Sequence, residues 1–102
     1  MLGPDQYHLT KIAEEAAEVS QRALKAMQFG FGETQPGEAE DNLQRLVGEY
    51  QDLVITFENM ASYFEGLDIT ISDAQREKRL AKMQKFLELS QRLGQVDDGV
   101  AV

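Results

Sequence analysis

The chain of 102 residues carries 18 acidic and 10 basic side chains, a formal net charge of −8, and no cysteine. That length suits one domain with a small core, to which subunit association would add stability. The balance of charge argues against general binding to a nucleic acid polymer or an anionic membrane, and without cysteine there is neither a disulfide framework nor a thiolate metal site.

No cationic segment leads into an apolar run, and no apolar stretch approaches the length of a span, so a cytoplasmic protein without a membrane span is expected. Leu9, Ile12, Ala16, Val19, Ala23 and Met27 recur at spacings of three and four, predicting a first helix from about Asp5 to about Phe29. Gly30 and Gly32 end it, and the stretch from Gly30 to about Glu40 reads as an exposed, mobile loop.

The second helix has the clearest pattern, because Leu43, Leu46, Tyr50, Leu53, Phe57, Met60 and Phe64 form a heptad seam, widened by Val47, Val54 and Ala61. It is expected to be the centre of the core and a subunit interface, with Gly48 permitting close helix approach. Gly66 closes it. Ser72 and Gln75 form a Ser-x-x-Gln capping box that starts a third helix, with Leu80, Met83, Phe86, Leu87 and Leu93 on its apolar side. Gly94 ends that helix, and residues 95–102 read as a flexible tail. The fold class is all-α, an antiparallel helical bundle completed by homo-oligomerisation.

Charge is laid out in ridges beside these stripes. On the first helix Lys11, Glu15, Glu18, Arg22 and Lys25 follow spacings of four and three. Arg45, Glu49, Asp52, Thr56, Asn59 and Tyr63 do the same on the second. If the two helices pack antiparallel, both ridges face one groove and Glu15, Glu18, Glu49 and Asp52 converge. Four such charges in one pocket need protons or a hard divalent cation to neutralise them. The bland alternative is a solvated face with surface ion pairs, each worth under about 1 kcal/mol.

The run Glu14-Glu15-Ala16-Ala17-Glu18, followed by Glu49-Tyr50-Gln51-Asp52, resembles the EExxE and ExxD signature of MazG-like, all-α nucleoside triphosphate pyrophosphohydrolases. Lys11-Ile12-Ala13 before the first motif and Asn59 after the second extend the likeness, which covers roughly Leu9 to Phe64. The stretch between the motifs, residues 19–48, is longer than the family usually shows, and the tryptophan that some relatives stack on the base is lacking.

The resemblance implies that residues 1–94 form a MazG-like domain in which Glu15, Glu18, Glu49 and Asp52 bind Mg²⁺, with Mn²⁺ as a possible substitute. It further implies hydrolysis of a (deoxy)nucleoside triphosphate to monophosphate and pyrophosphate by a homodimer or homotetramer. The proton of the attacking water would pass to Glu15 or Glu18, with Glu14 also available.

Cations for the phosphates would come from Lys11 or from the basic stretch Arg76 to Arg92, where Lys78 and Lys82 are the foremost candidates. Asn59 would contact the base or sugar, and Tyr7, His8, Phe29 or Tyr63 could stack there. His8 reads as a surface residue rather than a metal ligand. The alternative from another class is a non-catalytic helical homo-oligomer or adaptor that needs no metal.

Overall fold

Start signals written in the sequence fix where each helix begins. Pro4 sits at the first helical position, where its missing N–H costs nothing, and Gly3 N donates to Gln6 Oε1 at 3.1 Å. Asp41 Oδ1 accepts from Gln44 N at 2.8 Å while Gln44 Oε1 accepts from Asp41 N at 2.9 Å. The Ser72 and Gln75 box is formed as expected, at 3.1 Å and 2.9 Å. A computed structural model describes residues 1–102 as α1 (Pro4–Phe29), α2 (Asn42–Tyr63) and α3 (Asp73–Arg92), with no strand. No helix is long and apolar enough to cross a membrane.

The chain divides into two compact units, Met1–Ile69 and Thr70–Val102. In the first, α1 and α2 run antiparallel: His8 at the start of α1 meets Tyr63 and Phe64 at the end of α2, and Gly30 beyond α1 meets Asn42 at the start of α2. The intervening loop is exposed, but both its ends are anchored. Gly30, at φ 92°, turns the chain out of α1 while its N–H still reaches Ala26 O. Asn42, only 3% exposed, donates from Nδ2 to Gly30 O at 2.8 Å, and its own N–H donates to Glu33 O at 3.0 Å. One side chain thus joins the two helix ends.

α2 meets α1 along most of its apolar seam, whereas α1 contributes a face of mixed character. The residues of α1 that lose solvent along the contact include His8, Ile12, Glu15, Val19, Arg22 and Ala26, a run of fours and threes containing an imidazole, a carboxylate and a guanidinium. Arg45, Leu46, Glu49, Leu53, Thr56, Phe57, Met60 and Phe64 of α2 are likewise half-buried. Leu9, Met27, Leu43, Val47 and Tyr50, all expected in the core, are exposed. Ala26 is the one fully buried hydrophobic residue. The charged ridge of α1 faces α2, as the shared ridge spacing leads one to expect, and this leaves part of each apolar stripe outside the contact. A methyl group built on Gly48 meets nothing within 4 Å, so the close approach expected there is not made within the chain.

In the second unit, Gly94 at φ 73° ends α3, and Gln95 N donates to Ser90 O at 2.9 Å. Gln91 Nε2 then donates to Asp97 O and Val100 O, both at 3.0 Å, tying the following residues to the helix.

Replacing Asn42 by alanine removes the part-buried hydrogen bond to Gly30 O that joins the two helix ends. Asn42→Ala is expected to destabilise the fold by about 1–3 kcal/mol, read as a lower urea midpoint at unchanged slope.

Candidate metal centre

Antiparallel pairing of two helices with the same ridge spacing carries the acids past one another in register. Glu15, Glu18 and Glu49 each offer a carboxylate oxygen, and these atoms lie within 4.8 Å of one another. Glu15 and Glu49 are half-buried and Glu18 is exposed. Asp52, the fourth acid expected in the group, falls outside that tight set and is exposed. Its charge is nevertheless near enough to act on both Glu15 and Glu49.

Burial and mutual repulsion act in the same direction on these acids. The Glu15 carboxyl is held above its ordinary value by burial first, then by Glu18 and Asp52. Glu49 is raised by burial first, then by its neighbour Glu18 and by Asp52, against an opposing pull from Arg22. Glu15 Oε2 and Glu49 Oε2 are shut from solvent with no hydrogen-bond partner. So are Arg22 Nη1 and Arg45 Nη1. Buried polar atoms are rarely left unpaired, since each costs about 1–3 kcal/mol.

The donor set suits a hard cation. It consists of carboxylate oxygens alone, with no sulfur or imidazole among them, as magnesium or manganese prefers and zinc does not. The two unpartnered carboxylate oxygens are the atoms such an ion would satisfy.

The remaining site residues divide. Lys11 Nζ lies 3.3 Å from Glu14 Oε2 and 5.9 Å from the centre of the Tyr7 ring, and the Glu14 carboxylate holds its proton above the usual lysine range. Both members of that pair are about half exposed. Lys78 and Lys82 are exposed on α3, in the second compact unit, where Lys82 Nζ sits 5.9 Å from the centre of the Phe86 ring. Asn59 lines a cavity of about 530 Å³ together with Pro4, Tyr7, His8 and Tyr63.

His8 corrects the sequence reading. It is not on the surface but 7% exposed, with its ring centre 5.4 Å from Tyr7, 5.2 Å from Tyr63 and 5.6 Å from Phe64. The signal was present in the sequence, because His8 stands seven residues before Glu15 and so shares its face of α1. Arg45, which precedes Glu49 by one turn, was legible as part of the ridge but not as a half-buried cation with Nη1 shut from solvent. No family model, curated protein or solved structure matches the chain.

A carboxylate whose folded value is raised contributes stability below its unfolded value and loses that contribution as pH rises through the folded one. Without metal, ionised Glu49 therefore opposes folding at neutral pH. Glu49→Gln is expected to raise the thermal midpoint in chelator at about pH 8 and to leave it nearly unchanged at about pH 4, as measured by circular dichroism.

Proposed function

We propose that this chain is a Mg²⁺-dependent hydrolase that converts a (deoxy)nucleoside triphosphate to the monophosphate and pyrophosphate, working as a homo-oligomer. The observation that carries the reading is the group of Glu15, Glu18 and Glu49, two of whose oxygens are buried without a partner. The order of the EExxE and ExxD motifs, and the likeness to MazG-like pyrophosphohydrolases that it brings, supports the same chemistry.

Glu15, Glu18 and Glu49 would hold the ion, with Asp52 beside them. Bound there, Mg²⁺ would offset phosphate charge and make water more acidic. The chain's own part is to position substrate and to move one proton. Water oxygen forms a bond to the α-phosphorus, the bond from that phosphorus to the bridging oxygen breaks, and pyrophosphate leaves with the electron pair. Glu15 or Glu18 takes the proton that water sheds; Glu15 is suited to this because burial and its acidic neighbours raise its proton affinity. Lys11 stands one turn before Glu15 on the same ridge of α1.

Exposed apolar edges support self-association. A helical pair with Ala26 as its one fully buried hydrophobic residue, and with Leu9, Met27, Leu43, Val47, Tyr50 and Ile55 exposed, lacks the core that sustains an independent fold. A second copy of the chain would cover these edges. Sedimentation equilibrium is expected to give a mass of two or more chains, and Val47→Asp to shift it toward one. A monomer for the unaltered chain would remove this part of the reading.

The catalytic claim is tested by pyrophosphate release from a panel of nucleoside triphosphates. Release is expected with Mg²⁺ and not with chelator, and Glu49→Gln or Asp52→Asn is expected to lower the rate at least about a hundredfold while helicity is kept. A helical adaptor without a metal site would release none, and full activity in both variants would sink the assignment of these acids.

A further inference from the structure

Two guanidinium groups lie in the α1–α2 seam, and the chemistry proposed above uses neither. Arg22 and Arg45 are half-buried, and Nη1 of each is shut from solvent with no hydrogen-bond partner. A cation that gives up its hydration in this way is costly unless an opposite charge stands near it. That charge has to come from the seam itself.

Helix register identifies it. At one end of the pair His8 of α1 packs on Tyr63 and Phe64 of α2, and at the other Gly30 O accepts from Asn42 Nδ2. Counting inward from both anchors along antiparallel helices brings Arg22 level with Glu49 across the seam, while Arg45 falls further along, level with Ala26. Glu49 is half-buried too, and its Oε2 is likewise shut from solvent without a partner. Burial first and then Glu18 raise the proton affinity of Glu49, and Arg22 pulls it down. Attraction across the seam is thus present, while neither Arg22 Nη1 nor Glu49 Oε2 makes a hydrogen bond. Arg22 also stands one turn beyond Glu18 and two beyond Glu15 on one face of α1, at the end of the acidic row.

These placements make Arg22 and a metal ion rivals for one carboxylate. A divalent cation held by Glu15, Glu18 and Glu49 would bring further positive charge beside the guanidinium, and like charges at such range repel. We infer that Arg22 is a built-in counter-ion to Glu49 that weakens divalent-cation binding at the three glutamates, so that an entering ion displaces the guanidinium and the site fills and empties with the free metal concentration. This rests on the reading of the glutamates as a metal site, and it concerns how that site is regulated. Without the Arg22 charge the same acids would hold their ion more tightly and exchange it less.

Titration calorimetry with Mn²⁺ on the chelator-treated chain gives a first measurement. Arg22→Met, which removes the charge and keeps much of the bulk, is expected to tighten Mn²⁺ at least about fivefold, whereas Arg22→Lys, which keeps the charge, is expected to stay within about twofold of the unaltered chain. Thermal midpoints in chelator give a second measurement that needs no metal. Arg22→Met is expected to lower the midpoint of the unaltered chain and to lower it less in a Glu49→Gln background, where the carboxylate charge it answers is gone.

Where the unaltered chain binds Mn²⁺, an Arg22→Met variant that binds it no more tightly, or that loses as many degrees in both backgrounds, would overturn the inference alone. Equal tightening by Arg22→Lys would do the same, since bulk and not charge would then be responsible. Loss of helicity in Arg22→Met even at saturating Mn²⁺ would assign Arg22 to the fold and overturn it as well. Absence of Mn²⁺ binding in the unaltered chain would overturn the metal reading, and this inference with it.

Discussion

A row of charge enclosed between two helices is the constraint on which the rest of this structure depends. Glu15, Glu18 and Glu49 are pressed together where α1 meets α2, and burial and repulsion both raise the proton affinity of Glu15 and Glu49. Apolar side chains at those positions would make a more stable hairpin, because two helices ordinarily associate by excluding water from aliphatic surface. The arrangement instead holds three carboxylates together, with Arg22 pulling against the repulsion at Glu49. A bound cation would reverse the sign of that contribution, coupling occupancy of the site to stability of the fold.

The same choice explains the surface. With Glu15, Arg22, Arg45 and Glu49 sharing the α1–α2 contact with its apolar residues, part of the apolar surface is left over, and Leu43, Val47 and Tyr50 on α2 with Leu9 and Met27 on α1 remain exposed. A charged interior seam and unburied apolar flanks are thus two consequences of one pairing of α1 with α2. Subunit association would satisfy the second without disturbing the first.

Much of the fold was legible in the sequence because local signals set helix limits. Pro4, Ser72 with Gln75, Gly30 and Gly94 act through their own backbone geometry, and the helices begin and end within a residue or two of where those signals place them. Three of the four metal-ligand candidates also came together, since spacings of three and four fix which side chains share a helix face. One placement was misread. The facing of the two charged ridges follows from their common spacing, but His8, seven residues before Glu15 on the same face of α1, reads in isolation as a surface residue and is buried. Its burial depends on where the partner helix ends, since the Tyr63 and Phe64 rings that pack on it come from the far end of α2.

Titration of the chelator-treated protein with Mn²⁺ at neutral pH asks whether Glu15, Glu18 and Glu49 together bind a divalent cation. Saturable binding that is lost in both Glu15→Gln and Glu49→Gln, with protons released as the ion enters, is the result predicted. Weak, non-saturating heat that is the same in the unaltered chain and both variants would contradict it.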